Sequence, residues 1–161
     1  VVGQAPGTKV HATGIPFNDP SGDRLRAWMG IDRDTFYDAD QIALLPMAFC
    51  YPGRGKSGDL PPPSRCAQTW RAKLMRELPN IELTIVLGQY AQAWHLSADE
   101  SAASDKTLTD TVLAWRQYIP EQVPMPHPSP RNNLWLRRNP WFEIEVIPWV
   151  QLRVKKLLAS G

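Results

Sequence analysis

Cysteine is scarce in this chain, with two residues among 161. Two thiols cannot build a disulfide framework, so a reducing, cytoplasmic setting is expected. Histidine is almost as rare, and His11, His95 and His127 lie too far apart in sequence to announce a metal site. No apolar run approaches the ~20 residues that a membrane-crossing helix needs, and no membrane partner is expected. An excess of charge of one sign is also missing: the formal net charge is +2. So mild a basicity permits a nucleic-acid partner without demanding one, and the distribution of charge matters more than its sum.

Proline and tryptophan are present in force, at sixteen and seven residues. With 43% hydrophobic residues, they favour one globular domain over residues 1–161 with stiff, structured loops. Val1-Val2 before a Gly/Pro turn reads as the end of a strand that begins upstream. A long loop then reaches Pro20, and Ser21-Gly22-Asp23 offers an N-cap for an amphipathic helix closed by Gly30. Residues 41–49 read as a buried strand interrupted at Pro46, and residues 50–63 as a loop. Ser64 should cap a helix with the stripe Ala67, Trp70, Leu74 and Leu78. Residues 81–87 form the clearest strand, followed by a short helix over 89–96 and a polar surface loop over 97–106. A helix over 107–118, a strand near Val123 and a last helix opening at Asn139-Pro140, with a kink at Pro148, complete the order. Alternating strands and helices predict a three-layer αβα sandwich around a mainly parallel, four-stranded sheet.

The segment Pro126-His127-Pro128-Ser129-Pro130-Arg131-Asn132 is rigid, because its prolines fix φ and remove backbone donors. At the end of a strand it offers an imidazole, a hydroxyl and a guanidinium. In parallel sheets ligands gather beyond the carboxyl ends of the strands, where the turn Gly3-Gln4-Ala5-Pro6-Gly7 is also expected. Phe17 is either a core residue or a stacking platform for a flat ligand. Asn18 and Asp19 are either turn residues or, for Asp19, the carboxylate nearest the glycine turn. Arg131, Arg137, Arg138 and Trp135 form a basic-aromatic cluster suited to phosphate contacts, and Arg153, Lys155 and Lys156 complement a helix dipole. Gly53-Arg54-Gly55-Lys56-Ser57 is no P-loop, since the pattern requires glycine at Cys50 and a helix after Ser57, where three prolines soon follow. Cys50 and Cys66, taken by composition, are two buried thiols.

Three motifs in order, Gly3-Gln4-Ala5-Pro6-Gly7, Thr13-Gly14-Ile15-Pro16-Phe17 and His127-Pro128-Ser129-Pro130-Arg131-Asn132, resemble those of the uracil-DNA glycosylase superfamily. The first is closest to the family 4 enzymes. The third is similar to the loop of the single-strand-selective monofunctional uracil glycosylases. The resemblance implies a monofunctional, monomeric glycosylase that hydrolyses the N-glycosidic bond of uracil or another deaminated base flipped out of DNA; the alternative is a catalytically weak or inactive nucleic-acid-binding member of the fold. It further implies that Gly3, Ala5, Pro6, Gly7, Phe17 and Asn18 contact the base, and that His127 stabilises the departing anion. Gln4 and Asp19 are left as candidates to activate water, and Ser129, Pro130, Arg131 and Asn132 would engage DNA. Gln4 stands where family 4 enzymes usually carry Glu, Ala5 where families 1 and 2 carry Asp or Asn, and Pro46 where an Asn reads the uracil edge. No cofactor is required for catalysis. Cys50 and Cys66 match the second cysteine pair of the family 4 four-iron four-sulfur cluster, which could form only if a longer chain supplied the first pair.

Overall fold

The computed structural model describes residues 1–56, 58–96 and 106–160. The predicted loop over 97–106 therefore lies almost wholly outside the described residues. The fold is mixed α/β. Its regular core is a parallel pair, β3 (Thr84–Leu87) and β4 (Gln122–Met125), in the register Thr84 to Gln122 through Leu87 to Met125. Every residue of β3 is buried, as expected of a strand covered on both faces. Pro124 lacks an N–H and is tolerated because β4 lies at the edge of this pair. Val2 bridges Val86 in parallel, with Val2 N donating to Ile85 O and Leu87 N to Val2 O, both at 2.9 Å.

The predicted four-stranded sheet is not present as regular strands among the described residues. Beyond Val2, residues 45–48 run alongside the first residues: Leu45 N donates to Val1 O, Met47 N to Gly3 O and Ala48 N to Gln4 O. Pro46 has no N–H to give, and the segment at 41–49 stays extended without becoming a strand. Within the predicted loop over 50–63, a two-residue antiparallel hairpin forms instead, β1 (Arg54–Gly55) with β2 (Gly58–Asp59).

Helix boundaries depart from expectation for local reasons. A short helix, α1 (Thr8–Thr13), stands in the predicted loop and buries none of its residues, so it left no apolar period to read. The next, α2 (Pro20–Met29), starts earlier than predicted because Asp19 is the N-cap and Pro20 occupies the first turn; Gly30, at φ 70°, ends it as foreseen. After α3 (Arg33–Tyr37), α4 (Ser64–Arg76) begins at Ser64 without a side-chain cap. Its buried face is Ala67 and Arg71, whereas Trp70 is exposed. Gly88, at φ 78°, turns β3 directly into α5 (Gly88–His95). The helix predicted over 107–118 is α6 (Leu108–Leu113), opened by a capping box between Thr107 and Asp110 and followed by a single 3-10 turn. After α7 (Asn133–Arg138), a wide π-type turn over Phe142–Val146 precedes α8 (Ile147–Leu158). Pro148 thus falls near the start of α8, and the deviation foreseen there appears one turn upstream, where the missing N–H and the ring are accommodated.

Leu25, Trp28 and Met29 of α2 pack with Phe142, Val146, Val150 and Val154, and with Ile85, Leu87, Val123 and Met125 of the strands. The core therefore lies between the α2 and α8 pair and the strands, and it fixes the strand ends on which the site is built.

Candidate active site

A cleft of about 600 Å³ opens at the carboxyl ends of these strands. That volume lies inside the ~300–1,000 Å³ typical of small-ligand sites. The turn at 3–7, Phe17, Asp19, Pro46, Asp59 and His127 all line it. Segments more than a hundred residues apart in sequence thus meet as anticipated.

His127 follows β4 and is held from several directions. Ser129 N donates to its Nδ1 at 3.2 Å, Asn132 Nδ2 donates to its carbonyl at 2.7 Å, and Gly88 lies beside its Cβ. Arg24 of α2 donates to the carbonyls of Pro128 and Ser129 and to Asn133 Oδ1, pinning the loop to that helix. With Nδ1 accepting a backbone N–H, a neutral ring carries its proton on Nε2, the nitrogen left for a ligand. Burial holds the imidazole below its ordinary pKa, against the opposing pull of Asp19 and Asp59. The ring is therefore neutral near pH 7, with an Nε2 proton available to donate.

Phe17 is a non-glycine residue with positive φ, at 54°. Such a conformation costs roughly 1–2 kcal/mol and is kept only where its surroundings impose it. Here Tyr37 Oη donates to Pro16 O at 2.6 Å, Arg26 donates to Phe17 O, and the ring meets Phe36 edge-on at 6.0 Å between centroids. The Phe17 carbonyl also lies against Gly22, where any Cβ would overlap it. On its other side, a Cβ on Gly3 would stand 3.3 Å from Phe17 Cζ. The ring consequently lies against the 3–7 turn as one wall of the cleft while also packing against the core.

The remaining expected residues divide. Gln4, Ala5, Pro6 and Gly7 line the cleft, as do Ser129, Pro130, Arg131 and Asn132. Asn18 does not, because its Oδ1 accepts from Arg33 at 3.1 Å and is turned toward α3. Asp19 lines the cleft while its Oδ1 accepts from Gly22 N at 3.0 Å, so it is both helix cap and cleft carboxylate. Ser129 Oγ accepts from Arg131 N, which leaves its hydroxyl proton free to donate. Arg137 and Arg138 are exposed away from the cleft, and Trp135 donates to Thr109 on α6, so the basic-aromatic cluster is not gathered in one place.

Several contributors carried no sequence signal. Arg24, Gly22 and Arg26 sit in an ordinary helical pattern, and only tertiary contact assigns them to the two loops. Asp59 joins the cleft because the hairpin folds over it. Arg71, buried on α4, donates to the carbonyls of Leu45 and Pro46 at 2.6 and 3.2 Å and through Nε to His95 Nε2 at 3.0 Å. It supports the segment whose Leu44 and Pro46 form an apolar stretch of cleft wall.

The family model of the uracil DNA glycosylase superfamily matches residues 1–151. The chain belongs to this superfamily. Its members act on DNA as glycosylases. Cys50 is exposed, contrary to the composition-based expectation of two buried thiols, and Cys66 is partly exposed. Cys50 and Cys66 supply two of the four thiolates that a four-iron four-sulfur cluster needs, and among the described residues no group of three or more His, Cys, Asp and Glu could hold a metal ion. No helix among the described residues is long and apolar enough to cross a membrane.

Proposed function

We propose that this protein is a monofunctional DNA glycosylase that removes uracil or another deaminated base. The observation carrying this reading is the neutral His127, its Nδ1 tied to Ser129 N, facing the same cleft as the 3–7 turn and Phe17. A base flipped from the stack would lie on Phe17 and accept a hydrogen bond from Nε2–H at a ring oxygen. As the bond between sugar and base breaks, its electron pair leaves with the base, and this donor stabilises the anion. Ser129 would take a phosphate, and Arg131 would fill the space the base vacates. The protein acts as a cytoplasmic monomer in this proposal, and its chemistry needs no cofactor.

The test is a panel of oligonucleotides carrying uracil, hypoxanthine, xanthine or mismatched thymine, scored for abasic sites. The parent protein is expected to cleave at least one, and His127→Ala to slow it by ~10²–10³-fold, the usual effect of losing such a donor. Equal rates for parent and variant would overturn the mechanism. One observation favours a second reading, a DNA-binding member without activity: the wall at Leu44 and Pro46 offers no side-chain amide to read a base. That reading predicts salt-dependent DNA binding with no base released from any substrate.

A further inference from the structure

We infer that Asp59, carried by the β1–β2 hairpin, is the carboxylate that holds the attacking water and faces the positive charge developing on the sugar. The inference rests on the glycosylase reading and assigns the half of the reaction opposite His127.

The chemistry requires such a group. When the bond between C1′ and the base breaks, the base departs with the electron pair and C1′ becomes cationic. Water then forms the new bond to C1′ and loses a proton to a neighbouring base. The released anion takes up a proton from solvent, so the balance is one water consumed, with hydroxyl on the sugar and hydrogen on the base. A carboxylate stabilises the cation and receives the water's proton.

Three side chains could serve. Gln4 is neutral, and its Nε2 donates to Leu60 O at 3.4 Å. Asp19 spends Oδ1 on the Gly22 N–H and so on the first turn of α2. The Asp59 side chain has one oxygen at the edge of hydrogen-bond reach of Tyr51 Oη, at 3.5 Å, and no other side-chain hydrogen bond among the described residues. Its Oδ2 comes 3.9 Å from the point a Cβ on Gly7 would occupy, so it lies against the glycine turn where backbone N–H groups can hold a water.

Backbone contacts hold the hairpin that carries this exposed carboxylate. Leu60 N donates to Gly53 O at 2.9 Å and closes the hairpin, while the Gln4 contact ties the residue after Asp59 to the 3–7 turn. The polar residue in that turn thus positions the hairpin, and the charge absent from the turn is supplied by the hairpin. Asp59 and His127 line one cleft from different elements, as a cation stabiliser and a leaving-group stabiliser must.

The test uses single-turnover excision by the full chain on whichever base the parent removes best. Asp59→Asn is expected to lower the rate by ~10²–10³-fold, with Asp59→Glu recovering part of it. Asp34→Asn, at an exposed carboxylate outside the cleft, should stay within about 5-fold. Melting temperature and binding to an abasic oligonucleotide should be unchanged in Asp59→Asn, whereas a merely structural role would move both. Asp59→Asn within about 5-fold of the parent would overturn the inference. A parent inactive on every base would instead sink the glycosylase reading itself.

Discussion

Gly22→Ala separates local propensity from tertiary contact, because the two predict opposite signs. Gly22 lies within α2, and its φ is not in the left-handed region. By propensity alone, alanine should stabilise the helix by ~0.5–1 kcal/mol. The new Cβ, however, would overlap the Phe17 carbonyl oxygen and stand 2.7 Å from its carbonyl carbon and 2.9 Å from its Cβ. These atoms belong to a turn clamped by Tyr37 and Arg26, so no flexible side-chain end can yield. Overpacking of this kind costs ~1–3 kcal/mol. Moving the turn also weakens the Asp19 cap, worth about 1 kcal/mol, and the edge-on pair of Phe17 with Phe36, worth ~0.5–1.5 kcal/mol. The net expectation is a loss of about 2–4 kcal/mol. For a domain of this size that lowers the melting temperature by ~5–15 °C, at 2–4 °C per kcal/mol. Excision should fall on the order of 10²-fold, as displacing a positioning wall by about 1 Å does. Gly14→Ala is the control: at φ 70° with no atom within 4 Å, it suffers backbone strain of about 1–2 kcal/mol and no clash, and excision should persist. A Gly22→Ala protein that melts at or above the parent temperature and excises at the parental rate would refute the reasoning.

Other outcomes follow from the same contacts. Because burial holds His127 below its ordinary pKa, excision that needs a neutral imidazole should persist as pH falls through ~6.5 and decline only at lower pH, in a profile of single-turnover rates. Burial, then the Arg71 charge, lower His95 to about 4. His95 is neutral in both folded and unfolded chains above ~6.5, so its contribution is intact there and is lost as pH falls through about 4. Urea unfolding should show stability dropping across that interval, and His95→Gln, which keeps an acceptor for Arg71, should flatten the dependence. Arg24→Met removes the bonds to Pro128, Ser129 and Asn133. It should slow excision at least ~10-fold while lowering stability by only about 1–2 kcal/mol, since the loop keeps its Asn132 clamp.

Much of the site was legible in the chain because its chemistry sits in rigid local motifs. Proline fixes the backbone around His127 and glycine shapes the 3–7 turn, and neither effect depends on distant partners. The long core helices were legible from their periodicity, although capping moved their ends: Asp19 rather than a later residue starts α2. What resisted reading was set by contacts across the fold. The exposed α1 has no apolar stripe, and Pro46 turns a predicted strand into an extended segment. Asn18 looks like a site residue until Arg33 turns it away.

By itself, then, the sequence determined the family, the strand-end loops and the identity of the histidine, because covalent geometry and motif order are local properties. The tertiary structure alone decided the tautomer of His127, the strained turn of Phe17 and the arrival of Asp59 in the cleft. Each depends on a hydrogen bond or a close approach between segments far apart in the chain, and no local pattern encodes it.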